Sequence, residues 1–211
     1  FSTSPLTFVN MANLPATLTT ALQQVHGLQV NAARPLGGGC IHQATRLSTD
    51  RGDFFLKYNQ PGEAHNFTVE AKGLSLLRET GTARIPEVIG RGETASHAYL
   101  LLEYIEPGRP GERYWEQLGE QLAQLHQHRR PQFGLDYDNY IGALPQANPG
   151  RDHWPAFFAE ARIRPLLKKA IDRGLMGQQD LQAFEGLVPR LGEIFPEEPP
   201  ALIHGDLWGG N

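Results

Sequence analysis

The last eight residues of the chain, HGDLWGGN (204–211), carry the pattern His-x-Asp-x-x-x-x-Asn. An aspartate can accept the proton of an attacking hydroxyl, and an asparagine at this spacing can offer its side-chain oxygen to a Mg²⁺ ion on bound phosphates. The same letters would also suit a strand that ends in a polar, glycine-rich turn. On the chemical interpretation, Asp206 is the predicted catalytic base and Asn211 the predicted metal ligand in phosphoryl transfer from ATP.

A glycine run earlier in the chain could bring backbone close to phosphates. Gly37, Gly38 and Gly39 lie between two strand-like stretches, 28–36 and 41–47. A hairpin tip without side chains can approach a phosphate group closely. The run is neither a Walker A sequence nor GxGxxG, and a plain flexible turn is an alternative for it.

Lys57 favours the phosphate-binding interpretation. It lies in the apolar stretch FFLKYN, where a lysine needs a partner, and Phe55 shares its face of the strand. The next stretch, 66–80, has apolar residues at helical spacing and carries Glu70 near its start. We predict a Lys57–Glu70 ion pair that holds the lysine at the α- and β-phosphates. The alternative for Glu70 is a solvated first-turn glutamate favoured by the helix dipole.

The remaining segments predict an α+β, two-lobed, protein-kinase-like fold. An antiparallel sheet plus helix forms the nucleotide-binding N-lobe, a Pro/Gly-rich linker follows, and a mostly helical C-lobe carries the catalytic loop and is incomplete at the C-terminus. The predicted division is a 1–13 extension, 14–105 N-lobe, 106–111 linker and 112–211 C-lobe. Adenine would bond to the backbone of Glu103, Tyr104 and Ile105, just before the linker.

Three helices are predicted beyond the linker, at 112–128, 152–174 and 180–195. The first has an apolar stripe that includes Trp115 and Leu125 at helical spacing. Aromatic residues in the second, such as Phe157, are interpreted as core. Residues 133–150 are rich in turn formers, and so long a loop is usually functional.

Composition narrows the classes of partner. Lysine plus arginine number 19 and aspartate plus glutamate 23, for a net charge of −4, which argues against a nucleic-acid surface. Only one cysteine is present, so an internal disulfide is impossible and a cytoplasmic location is expected. The sequence has no apolar run of membrane-spanning length and no signal-peptide pattern at its N-terminus, so no membrane partner is expected.

Several of these motifs together resemble the fructosamine kinase (ketosamine kinase) family, a relative of the aminoglycoside phosphotransferases. The resemblance covers roughly residue 14 to the end. The matching stretches are HGDLWGGN (204–211), DNYIG (138–142) with PQ (145–146), FF-x-E-x-R (157–162), GGGCI (37–41) and LEYIEPG (102–108).

The resemblance implies ATP- and Mg²⁺-dependent phosphorylation of a sugar hydroxyl, at carbon 3 of a free or protein-bound ketosamine. The phosphorylated product is unstable and returns the free amine, so such kinases act in deglycation. By the same resemblance, Asp206 is the base, Asn211 binds Mg²⁺, Lys57 with Glu70 orients the phosphates, and the glycines cover them. Trp208 and Asp136 are candidates on the substrate side.

The family pattern continues beyond Asn211 with a second metal-binding aspartate, which this sequence does not contain. We expect the chain to be a fragment of a longer kinase; a degenerate, non-catalytic nucleotide-binding relative is the alternative. A small-molecule kinase of the aminoglycoside or choline type is a further alternative. Cys40 is either a buried apolar residue or a redox site that links two protomers, so the protein is expected to be a monomer or a redox-linked homodimer.

Overall fold

The computed structural model describes residues 14–37 and 42–207. The chain divides into two compact units, with the boundary between Gly111 and Glu112. The assignment of these units to a nucleotide-binding lobe and a catalytic-loop lobe stays a prediction. Residues with predicted roles that lie outside the described ranges are Gly38, Gly39, Cys40, Trp208 and Asn211.

The first unit is built on a five-stranded antiparallel sheet with strand order β1-β2-β3-β5-β4. Strands β2 and β3 form a tight hairpin in which Thr49 pairs with Gly52, and the φ of +109° at Gly52 favours glycine there. The sheet with its helices gives the α+β class that the sequence predicts. The strands are β1 Val30–Leu36, β2 Gln43–Thr49, β3 Gly52–Asn59, β4 Val88–Glu93 and β5 Ala98–Glu103.

Two helices bury the two faces of this sheet. Helix α1 (Ala16–His26) places Leu18 and Leu22 in one core cluster, and α2 (Ala64–Glu79) places Phe67 and Ala71 in another. Strand β5 supplies alternate leucines to both clusters and is buried over nearly its whole length, as an inner strand should be. The alternation fixes which side chains of β2 and β3 share a face with α2.

Two glycines in the edge strand β4 make room for the paired rings of His26 and Tyr99. A Cβ atom at Gly90 would overlap the imidazole of His26, and one at Gly92 would lie 2.7 Å from the hydroxyl of Tyr99. The two rings meet edge to face, with 3.0 Å between His26 Nε2 and the Tyr99 hydroxyl. The absence of side chains at the two glycines therefore allows α1 to close against this edge of the sheet.

The second unit is mostly helical and includes a small two-stranded hairpin. The hairpin lies within 133–150, so this segment is more ordered than the irregular loop predicted from sequence. Within the described residues, no helix is long and apolar enough to span a membrane. The elements are α3 Tyr114–Leu125, β6 Asn139–Ile141, β7 Leu144–Gln146, α4 Trp154–Phe158, α5 Arg164–Asp172, α6 Gln178–Leu187 and α7 Leu191–Ile194.

Helices α4 and α5 form one continuous helical segment, joined by a π-helical turn at Ala159–Ile163. Sequence predicts a single helix here, and periodicity alone does not reveal the inserted π-turn. Phe157 is buried as predicted, and Trp154 packs with Phe157, Phe158, Phe133 and Phe195. Phe157 is buried, and the other four rings of this aromatic cluster are half-buried around it.

The apolar stripe predicted for α3 is only partly buried. Leu125 at the end of the helix is buried, but Trp115 is 75% exposed. Trp115 lies in the first turn of α3, where its ring contacts Tyr114 edge to face at 4.9 Å between centroids. Helical spacing therefore predicts the side of the helix on which Trp115 lies, but it does not predict whether other residues cover the ring.

Candidate active site

Lys57 and Glu70 form the ion pair predicted from sequence. The ammonium Nζ lies 2.8 Å from Glu70 Oε1 and 2.9 Å from Oε2, so the lysine contacts both carboxylate oxygens. Strand β3 places Lys57 opposite Ala44 and Leu100, and Phe67 and Ala71 fix the face of α2 that carries Glu70. Their side chains are 24% and 31% exposed, so a ligand can still reach the pair.

His42 immediately precedes β2 and follows the glycine run by three positions, and sequence reasoning assigned it no role. Asn59 Oδ1 accepts the N–H of Gln60 at 2.8 Å, so its amide nitrogen is the atom that faces His42 Nδ1 at 3.1 Å. That amide donates, so Nδ1 accepts and the proton of a neutral ring is on Nε2. Burial and then the charge of Lys57 lower the pKa of His42, against the opposing effects of Glu70 and Glu63.

The segment at 103–106 is held by its first residue. The N–H of Glu103 donates to Glu87 O at 2.8 Å, and its carboxylate accepts from Arg84 at 3.0 Å and from the Glu87 N–H at 3.2 Å. The bond from Arg84 lowers the pKa of Glu103 most, followed by the backbone bond. Since the Glu103 N–H is already used, a backbone donor for a bound base would have to come from Tyr104 or Ile105.

A second arginine holds the other end of the same segment. Arg46 on β2 lies over the ring of Tyr104, with 4.3 Å from the guanidinium carbon to the ring centroid, and also contacts Asp53 and Glu106. Sequence reasoning missed Arg46. A usable signal was present, because a two-residue hairpin turn at 50–51 places Arg46 opposite Phe55, on the face of Lys57.

The start of the catalytic-loop motif is anchored by backbone pairing. Leu202 N–H donates to His128 O at 2.8 Å, and Arg130 N–H donates to Pro200 O at 3.3 Å. Gly205 has a φ of +88°, a conformation that favours glycine, and Asp206 follows it on the exposed surface of the described unit. The role of Asp206 as base stays a prediction.

Segment 137–148 is tied to the π-turn by one polar network. Asn148, 5% exposed, donates from its side chain to Tyr137 O at 3.0 Å and to Asn139 Oδ1 at 2.9 Å. Arg162 donates to Asn148 Oδ1 at 2.6 Å and to Ala147 O at 2.7 Å. Burial lowers the pKa of Arg162. The DNYIG and FF-x-E-x-R motifs are therefore parts of one structural unit.

The two aspartates near this network are engaged within the protein. Arg130 donates to both carboxylate oxygens of Asp136, whose side chain is 81% exposed. Asp138 accepts the backbone N–H of Asn148 at 2.9 Å. The substrate role of Asp136 stays a prediction, and both carboxylates already have partners that a cationic ligand would have to share.

The predicted site residues that the structure describes fall in both units. Gly37, Lys57, Glu70 and the 103–105 backbone lie in the first unit, and Asp206 and Asp136 lie in the second. Within the described residues, no group of three or more His, Cys, Asp or Glu could hold a metal ion. A Mg²⁺ ion on nucleotide phosphates needs only one or two protein side chains, so this finding is compatible with Asn211 as a ligand.

The fructosamine kinase family model matches residues 13–211. The chain belongs to the fructosamine kinase family. Among curated relatives, a probable ketoamine kinase of Synechocystis is 39% identical over 94% of this chain and 69% of its own length. The chloroplastic protein-ribulosamine 3-kinase of Arabidopsis thaliana is 35% identical over 87% of this chain and 57% of its own.

Solved structures agree on the fold. A candidate fructosamine-3-kinase from Thermobifida fusca aligns with a TM-score of 0.80 and 32% identity, over 92% of this chain and 68% of that one. A spectinomycin phosphotransferase, at a TM-score of 0.53 and 16% identity, shares the kinase-like fold alone. The chain spans from 57 to 69% of the length of the two curated relatives named above.

Proposed function

We propose that this protein is an ATP-dependent kinase that phosphorylates the carbon-3 hydroxyl of ketosamines, such as fructosamine or ribulosamine adducts, and so acts in deglycation. The observation that carries the proposal is the Lys57–Glu70 ion pair, formed in a chain of the fructosamine kinase family. The ketoamine and ribulosamine kinases among its relatives support the substrate class. A cytoplasmic location is part of the proposal and is supported by the single cysteine.

The ion pair suits a lysine that binds ATP phosphates. Two of its three N–H donors go to Glu70 within the described residues, which leaves the third for a phosphate oxygen. The carboxylate also keeps the ammonium at a fixed point on β3. Electrostatic stabilisation of this kind is effective because the charge is in place before the phosphoryl group moves.

The other roles follow the catalytic-loop pattern. Asp206 accepts the proton of the sugar hydroxyl, and Asn211 holds the Mg²⁺ that comes with ATP. When bound, that metal would neutralise charge on the phosphates. The backbone from Glu103 to Ile105 receives the base, and Gly37 to Gly39 cover the phosphates. Trp208 and Asp136 remain candidates for contact with the ketosamine. Cys40 remains the candidate for a redox link between protomers.

A polycationic aminoglycoside is a less suitable substrate. Such a ligand would need uncompensated carboxylates, whereas Asp136 is bound by Arg130 and Asp138 by the backbone of Asn148. A ketosamine presents a polyol with at most a few charges. Its hydroxyl groups can be bound by hydrogen bonds to amides and backbone groups.

Replacement of Asp206 tests the proposal. Asp206→Asn should bind ADP as the parent does but lose turnover by about 10²–10⁴-fold, the usual cost of removing a positioned proton acceptor. ADP release is measured with ribulosyl-lysine and with kanamycin. Mass spectrometry of the products should detect the 3-phosphate and the free lysine that follows from its breakdown.

Asp172→Asn is the matched control, because this exposed aspartate on α5 pairs with Lys168 and has no proposed role. It should keep parental turnover. Turnover of Asp206→Asn within tenfold of the parent would exclude Asp206 as the base. ADP binding without transfer to either substrate would instead support a non-catalytic nucleotide-binding protein.

A further inference from the structure

Arg46 shares a sheet face with the lysine proposed to bind phosphate. In the β2–β3 register Arg46 pairs with Phe55, and Phe55 is two residues from Lys57 on β3. Directly paired residues and residues two apart on a strand project from the same face of a sheet. Phe55 packs against the core cluster under α2, which confirms the direction of that face. Arg46 and Lys57 therefore lie on the same face of the sheet.

The contacts of Arg46 join the sheet to the segment 103–106. Its Nε donates to Asp53 Oδ2 at 2.8 Å, which ties the guanidinium to β3. Its Nη1 lies 3.1 Å from Glu106 Oε2 and donates to the Tyr104 hydroxyl at 3.3 Å, while the guanidinium also covers the Tyr104 ring. A planar guanidinium can make these contacts together, and a lysine can reproduce only part of them.

The segment needs such contacts because it leaves the sheet. Strand β5 ends at Glu103, and residues 104–111 form no helix or strand. A base that bonds to main-chain groups binds tightly only if that backbone is already ordered before binding, since ordering it on binding costs affinity. Arg84 and Glu87 hold Glu103 by hydrogen bonds. Arg46 contacts the next part of the segment, through the side chains of Tyr104 and Glu106.

We propose that Arg46 is a positioning residue for ATP, which holds the backbone of segment 103–106 in the geometry that receives the base. The inference rests on the proposed kinase function. Arg46 acts through Tyr104 and Glu106 and does not touch the reacting phosphoryl group. Its loss therefore weakens nucleotide binding and leaves the chemical step intact.

The test compares Arg46→Met and Arg46→Lys with the parent. ADP affinity is measured by calorimetric titration without sugar substrate, and kcat and KM for ATP by initial rates with ribulosyl-lysine. Arg46→Met should raise the Kd for ADP and the KM for ATP about tenfold, the effect of one or two lost contacts. The kcat should stay within about threefold, a change of under 1 kcal/mol in the barrier. For Arg46→Lys, the Kd for ADP and the KM for ATP should fall between those of the parent and those of Arg46→Met.

Arg91→Met is the matched control, because Arg91 is an exposed arginine on the edge strand β4 and has no proposed role. It should bind ADP like the parent. A double-mutant cycle with Tyr104→Leu tests transmission through the ring. If Arg46 acts through Tyr104, the two losses in ADP affinity are less than additive.

Failure of this inference can be told apart from failure of the proposed function. Parental ADP affinity in Arg46→Met, or a matching fall of kcat and affinity with a lower melting temperature, would overturn the positioning role. Additive losses in the cycle would overturn transmission through Tyr104. If the parent binds ADP and Arg46 governs that affinity but no ketosamine is phosphorylated, the positioning role stands and the substrate assignment fails. A parent that binds no nucleotide overturns both.

Discussion

We expect Lys57 and Glu70 to have a large effect on function and a small one on stability. Their side chains are about one-quarter to one-third exposed, at 24% and 31%, and ion pairs with this much access to water typically contribute less than about 1 kcal/mol to folding. The lysine is held on an apolar strand where its charge would otherwise be costly. The proposed role of Lys57 in binding phosphate, rather than its contribution to folding, is therefore the effect that the following variants test.

Lys57→Met should fold like the parent and lose activity. We expect kcat/KM for ATP to fall about 10²–10³-fold, the usual effect of removing one preorganised electrostatic donor. Glu70→Gln should cause a smaller loss, because the lysine charge remains but its position is less restricted. Rates of ADP release and thermal melting curves measure both effects.

Lys72→Met is the control for these two variants, since Lys72 is an exposed lysine on the same helix as Glu70. Its rate should match that of the parent. Melting temperatures of Lys57→Met and Glu70→Gln that fall together with their activities would contradict the functional interpretation of the pair.

At the scale of elements, Asn148 joins three stretches of chain. It contacts Tyr137, Asn139 and Arg162, and its side chain is buried. A buried network of this kind is stabilising only while every member has its partners. Removal of the Asn148 amide would take one acceptor from the Arg162 guanidinium, and one donor each from Tyr137 O and Asn139 Oδ1.

Asn148→Ala should destabilise the second unit by about 1–3 kcal/mol, the cost of leaving buried polar groups unsatisfied. The destabilisation should be local at first. It should be observed as faster amide hydrogen exchange in a peptide that covers residues 137–148. Gln146→Ala removes an amide from the same hairpin and serves as the control. Equal exchange rates in the two variants would mean that Asn148 does not order the segment.

Elements set by local patterns could be predicted from the sequence, and contacts between distant segments could not. Lys57 and Glu70 could be paired because strand alternation and helical spacing are both local signals. The hairpin register places Arg46 on the face of Lys57, but its contact with Tyr104, 58 positions away, gives no local signal. The exposure of Trp115 and the π-turn at Ala159–Ile163 likewise depend on which residues pack nearby.

At the scale of the whole molecule, the lowered pKa values of two histidines predict that stability depends on pH. Burial lowers the pKa of His26, which contacts the Tyr99 hydroxyl. Burial, and then the charge of Lys57, lower the pKa of His42, and the charges of Glu70 and Glu63 partly oppose this shift. A base whose pKa is lower in the folded state is protonated preferentially in the unfolded chain. The contribution of these histidines to the free energy of unfolding is therefore fully present above about pH 6.5, the ordinary histidine pKa. It is lost progressively as the pH falls below that value.

The free energy of unfolding should thus be lower at pH 5.5 than at pH 7.5, with the loss centred on residues 14–111. Hydrogen exchange of peptides covering 16–26 and 88–103, followed by mass spectrometry, checks this location. His26→Gln should reduce the pH dependence. A pH dependence unchanged by His26→Gln would exclude His26 as a source.

The π-turn between α4 and α5 has a consequence for sequence evolution. A π-turn holds one more residue than the corresponding α-helical turn, and each residue of an α-helix advances the direction of the side chain by about 100°. Deletion of a single residue from Ala159–Ile163 would convert the turn to regular helix and rotate everything beyond it relative to α4. A deletion that precedes Arg162 within the turn would therefore direct its side chain away from Asn148. We therefore expect the extra residue of this turn and Asn148 to be retained together, or lost together, among related sequences.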